Sequence, residues 1–275
     1  MGLFGGGKEK KDKKALDLYF AAPSIGGSQI DDLKKAIPDA QAVLFGIVRD
    51  SHDPDHRFRA LLGLQQLGIT QAMVPAIVGA LRDSDDLVQE SAARIVANYR
   101  ECPDIVVPAL VADYHEHAGN RLVLLQVLGE YGPGARAAVP TVTASLAQPL
   151  EALAAAKCLS RIGTGGLDPV ERALVDVLTD GGKEADLKAL GEPMVAALES
   201  FLLSSVPWKL VDAIPAWRRT LEAYALVGAR PAGALASVLK ELSEYGDWKL
   251  RGETGVHYLE ISRAKVVAGQ ILQRV

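Results

Sequence analysis

The sequence predicts an all-α chain whose helices pair into hairpins and stack as a solenoid, and three observations carry that expectation. First, "VPAIVGAL" at Val74, "VPALVADY" at Val107 and "VPTVTASL" at Val139 repeat at steps of 33 and 32 residues. Second, "RALLGLQQLG", "LLQVLGEYG" and "KCLSRIG" end at Gly68, Gly132 and Gly163, at steps of 64 and 31; the missing middle member is "ARIVANYR", with Arg100 where Gly would fall. A fixed period near 32 is the signature of stacked helical hairpins, because one hairpin cannot bury its apolar face alone. Third, hydrophobic residues make up 49% of the chain but aromatics only 5%. Abundant Ala, Leu and Val suit close helix packing better than a β-sandwich.

The elements follow in order. Residues 1–14 carry Lys8, Lys10, Lys11, Lys13 and Lys14 against Glu9 and Asp12, a local charge of +3. They are expected as a flexible basic tail, at best a weak electrostatic anchor. "SQIDDLKKAI" and "DAQAVLFGIVRD" then read as an opening helix pair. In the first helix of a hairpin, Val88, Ala92, Ile95, Val96 and Tyr99 form one stripe of a 3.6-residue helix; in the second, Val107, Leu110, Val111 and Tyr114 do the same. Ser84, Asp85 and Asp86 offer cap oxygens and negative charge to the free N–H groups of a helix start. Pro75, Pro108 and Pro140 are expected near helix beginnings, where a missing N–H costs least. Gly68, Gly132 and Gly163 are expected to stop helices in the left-handed conformation. The apolar "RLVLLQVLGEYG" predicts a helix buried on several sides. Beyond Gly181 the period is lost: "EPMVAALESFLLSS", "WKLVDAIPAWRRTLEAYALVG", "PAGALASVLKELSEYG" and "GVHYLEISRAKVVAGQILQRV" are helical but longer and irregular, and hold all three tryptophans, Trp208, Trp217 and Trp248. The expected division is therefore a tail over 1–14, repeats over 15–180, and divergent repeats with a cap over 181–275.

"DPDHRFRALLGLQQLG" (Asp53 to Gly68) and "SDDLVQESAARIVANY" (Ser84 to Tyr99) resemble the HEAT-repeat family in its short bacterial form, related to phycobilisome-lyase repeats. The resemblance spans roughly residues 39–180. It departs from the family pattern at Arg100, and at Gln89, which stands in the usual Arg place. It implies a right-handed α-solenoid of HEAT-like hairpins, with a divergent helical C-terminal cap.

Motifs that suggest chemistry have plainer explanations. "GLFGGGKE" approaches a phosphate-binding loop but puts Glu9 where a magnesium-binding hydroxyl belongs. "HDPDH" (His52, Asp53, Asp55, His56) aligns with the inter-hairpin turn 32 residues on, so capping accounts for its carboxylates and no metal is expected. In "YHEH", His115 and His117 point apart on a helix, and the several facing His–Glu pairs of HEAT-type di-iron hydroxylases are not matched. HEAT-like alkylated-DNA glycosylases offer a second functional class, with Trp208, Asp212, Trp217, Arg218 and Arg219 as the residues to hold a lesion. Net charge is −4, against the positive field that a duplex-binding groove needs. A bilin lyase subunit is the related alternative, without a separate bilin motif. Cys102 and Cys158 form no disulfide framework or zinc spacing. No apolar run reaches membrane-span length, and Asp17 interrupts the one segment that resembles a secretory core. A cytoplasmic protein without cofactor is expected.

Recognition without chemistry remains: a non-enzymatic scaffold or adaptor that binds a protein partner by its solenoid surface. Trp and Arg dominate binding hot spots, so Trp208, Trp217, Arg218, Arg219 and Trp248 are the candidate binding residues. Nine residues separate Trp208 from Trp217, so the two cannot share a helix face unless Pro215 divides the helix, and the rival role for both is to plug the solenoid end.

Overall fold

Asp53, Asp85 and Asp168 each begin a helix by accepting backbone N–H groups of the following turn, and this repeated device sets the chain's punctuation. A computed structural model describes residues 7–22, 24–100, 102–116, 120–148, 150–204, 214–231, 233–244 and 255–273. Those residues hold sixteen α-helices and no strand. They divide into two compact units, 1–131 and 132–275.

In the first unit, α1 (Gly7–Ala21), α2 (Gly27–Ala36), α3 (Ala40–Asp50) and α4 (Pro54–Leu67) lead into the repeats. The basic segment is thus helical from Gly7, where a flexible tail was expected. Tyr19 anchors α1: it is buried and its hydroxyl donates to the Arg59 carbonyl at 2.8 Å. Arg59 in turn donates to the Ala22 carbonyl at 2.6 Å, and Phe20 stacks against His56 at 4.4 Å. Gly63 permits this closeness, because a Cβ there would lie 2.5 Å from Leu44 Cδ1 and 2.6 Å from Tyr19 Oη. Next come α5 (Val74–Gly79), α6 (Asp86–Asn98), α7 (Pro103–Glu116) and α8 (Arg121–Glu130). Helices pack on counterparts one period away: α4 on α6, α6 on α8 and α5 on α7. Each second helix also packs on the helix that follows it, α5 on α6 and α7 on α8. The Val88, Ala92, Ile95, Val96 stripe is buried, as are Leu124, Leu125, Val127, Leu128 and Gly129 of α8.

Pro108 is a correction. It lies inside α7, which begins one turn earlier at Pro103. Cys102 caps that start, its carbonyl accepting from the Ile105 and Val106 N–H groups at 3.1 Å. Pro108 therefore removes one bond to the first turn and leaves the remainder of the helix intact.

The second unit contains α9 (Val139–Ala144), α10 (Ala152–Ile162), α11 (Pro169–Asp180), α12 (Glu184–Ala189), α13 (Glu192–Ser204), α14 (Ile214–Val227), α15 (Gly233–Ser243) and α16 (Gly255–Leu272). Here the expected boundary at 180/181 is not a packing boundary, since α11 packs on both α13 and α14. A single buried cluster joins Ala173 and Val177 of α11 to Met194, Leu198, Trp217, Leu221, Tyr224, Leu239, Ala264 and Ile271. Helix α14 is central to it, touching α11, α12, α13 and α16.

Candidate interaction surface

Of the residues singled out for binding, Trp217, Arg218 and Arg219 are committed to this core. Trp217 has 0% exposure, and its indole N–H donates to the Leu202 carbonyl at 3.0 Å. A buried indole with its one donor satisfied is a core residue, so Trp217 presents nothing to a partner. Pro215 sits in the first turn of α14, which starts at Ile214. Arg218 is half-buried between two carboxylates: it bonds Glu260 of α16 through Nε, and Glu222 through Nη1 at 2.5 Å. Burial alone would lower its basicity, and the two carboxylates outweigh it and raise it. Arg219 donates to the Leu178 carbonyl and, at 2.8 Å, to that of Thr179, which satisfies the orphan carbonyls ending α11. Trp208, Asp212 and Trp248 lie outside the described residues.

The first unit handles its helix ends differently. Gly68 closes α4 with φ of 84°, and Gln41 Nε2 donates to its carbonyl at 3.0 Å. Helix α6 has no such glycine. Tyr131, a full period away, supplies the cap: its hydroxyl lies 2.6 Å from the Val96 carbonyl and 2.5 Å from that of Tyr99. Burial pushes the Tyr131 hydroxyl up to about 12. Adjacent turns are tied by Arg57, which bonds both oxygens of Asp83 at 2.6 Å and the Ser51 carbonyl at 2.9 Å. Burial would raise the Asp83 carboxyl; the Arg57 hydrogen bonds and the N–H groups of Asp85 and Ser84 outweigh it and hold the carboxyl below its usual range. One period on, Gln89 stands in the place of Arg57 and keeps the counterpart of its carbonyl bond, donating to the Asp83 carbonyl at 2.5 Å, without the carboxylate pair.

Gln89 also lines a groove. Between α6 and α8 lies a hollow of about 580 Å³ lined by Asp86, Gln89, Glu90, Ala93, Arg94, Ala97, Asn98, Val123, Gln126, Val127 and Glu130. Ala93 and Ala97 are spaced i, i+4 on the side of α6 away from its buried stripe; with Val123 and Val127 they make the apolar lining. Small side chains there keep the backbone of α6 close to whatever enters. Around the lining stand three carboxylates against one guanidinium, and Arg94 pairs with Glu90 at 2.6 Å. The side chains of Asn98 and Gln126 are exposed, and their amides make no hydrogen bond among the described residues. A smaller hollow, formed by Leu64, Gln65, Gly68, Ile69, Ile95, Asn98 and Tyr99, adjoins it at Asn98.

Charge is as uneven as shape. Residues 1–131 hold 14 Lys and Arg against 18 Asp and Glu, while 132–275 hold 16 of each, so the net −4 belongs to the first unit. The sequence expectation placed binding on the solenoid surface and on Trp and Arg residues beyond Gly181, and did not anticipate this groove. Its signal was nonetheless present in "QESAARIVAN", where Gln89, Ala93 and Ala97 fall on the polar side of an amphipathic helix but are small or uncharged. No helix among the described residues is long and apolar enough to cross a membrane. Comparison with protein-family models, curated proteins and solved structures finds no match.

Proposed function

We propose that this protein is a non-enzymatic scaffold or adaptor: a HEAT-like, right-handed solenoid that recognises a partner protein through its surface in the cytoplasm. Two things support the reading. The hairpins of the first unit stack helix on counterpart at the sequence period, which is how a repeat protein builds an extended binding face. The observation that carries it is the α6–α8 groove, with its alanine lining and uncommitted amides.

The test is affinity capture from the source organism's lysate with the intact chain and with an Ala97→Trp variant that fills the groove. A partner retained by the first and lost by the second, at equal melting temperature, supports the reading. Equal capture by both removes the groove from it, and capture of nothing by either removes the scaffold role. Arg218 and Arg219 are unsuitable for that comparison, because their loss acts on the fold.

A further inference from the structure

We infer that the α6–α8 groove takes an extended, lysine- or arginine-bearing segment of a partner protein, held by its main chain as well as by its charge. The inference rests on the scaffold reading above and names the chemistry of the partner.

An extended peptide exposes unpaired N–H and C=O groups, and its occupant site must satisfy both. A primary amide is the side chain that offers a donor and an acceptor together. Asn98 on α6 and Gln126 on α8 provide two, both solvent-facing and unbonded among the described residues. Gln89 provides a further acceptor, since its Nε2 is spent on Asp83 and its oxygen is not. Between these amides, the alanine and valine lining accepts small apolar side chains without a protruding group to displace.

Charge selects the sign of the occupant. Arg94 and Glu90 of the lining pair with each other, which leaves the lining two carboxylates in excess, those of Asp86 and Glu130. Asp86 is exposed at the first position of α6. Beyond the groove the surrounding unit is itself net negative, so a basic segment is drawn toward it and an acidic one is repelled. Phosphate-bearing ligands fail on the same ground.

The test is a titration of the full-length chain with two fluorescently labelled octapeptides, one alternating alanine with lysine and one alternating alanine with glutamate. The expected result is saturable binding of the lysine peptide alone, weakened by added salt. Asp86→Asn combined with Gln126→Lys brings the lining to neutrality and should weaken binding about tenfold or more. Asn98→Ala leaves the charge unchanged and should weaken it about threefold through the lost main-chain contact. Gln126→Lys alone guards against an unstable double variant, and every variant is melted alongside. Asp31→Asn with Asp32→Asn, on the exposed face of α2, removes equal charge elsewhere in the unit and should weaken binding far less than the groove variant. Equal binding of both peptides, no binding, or equal losses from the α2 and groove variants would each overturn the inference. An unchanged affinity in Asn98→Ala would overturn its main-chain part. A captured partner that depends on the groove but has no basic segment would overturn the chemistry while leaving the scaffold reading in place.

Discussion

The two units of this chain solve the same problem, joining helix to helix, with different chemistry. In the first, repetition does the work: aliphatic stripes recur at the period, and polar groups tie one hairpin to the next. The Arg57–Asp83 pair and the Tyr131 cap both reach between repeats. In the second unit, large aromatics gather at one helix. Trp217 and Tyr224 are both fully buried on α14, and Tyr224 closes on Glu199 at 2.6 Å. Around them, Arg218 and Arg219 fasten α14 to α16 and α11. A repeat can accept a locally altered helix end, because a neighbour supplies the missing group. A core centred on one helix concentrates its stability there. Residue types that mark binding hot spots on a surface therefore mark the structural centre here.

That contrast can be broken, starting with its largest effect. Trp217→Ala should cost about 3–5 kcal/mol, since it leaves a large cavity and takes away the indole donor to the Leu202 carbonyl. Denaturant unfolding would show it, and a near-native midpoint would mean that the second unit has no such centre. Arg57→Ala should cost about 3 kcal/mol by leaving the Asp83 carboxylate mostly buried without its partner. The pH dependence supplies a sign check. The Asp83 carboxyl is lowered in the folded state, so its contribution is present above the unfolded value near ~3.9 and is lost as pH falls through the lower folded value. Melting temperatures followed into that acid range should fall more steeply in the intact protein than in Arg57→Ala.

Smaller effects sharpen the comparison. Tyr131→Phe removes only the hydroxyl that caps α6 and should cost about 1–2 kcal/mol. With its hydroxyl pushed up to about 12, Tyr131 contributes stability that is whole below the unfolded value near ~10 and lost as pH rises toward the folded one. The phenylalanine variant should accordingly lose less stability between those limits, measured by alkaline unfolding. Asn98→Ala, at an exposed and unbonded amide, should change stability by less than about 0.5 kcal/mol. A clear loss there, in a chemical melt, would show that the groove wall is structural.

Sequence alone determined the helical class and several helix starts and ends, because these depend on local signals. Apolar spacing, Asp caps and terminal glycines act within a turn or two of themselves: Asp53 and Asp85 cap where the pattern puts them, and Gly68 and Gly163 end helices at positive φ, though with extended ψ where the left-handed helical value was expected. The departure at Arg100 was legible as a break in the pattern, but the group that caps α6 in its place was not, since Tyr131 lies 32 positions from Tyr99. The tertiary structure decided whether a Trp or an Arg faces solvent or core. An indole and a guanidinium serve equally as contact or as clamp, and only the helices packed around α14 select the second. The groove followed from the same level: Ala93, Ala97 and Gln126 acquire a shared hollow only when α6 and α8 are set side by side.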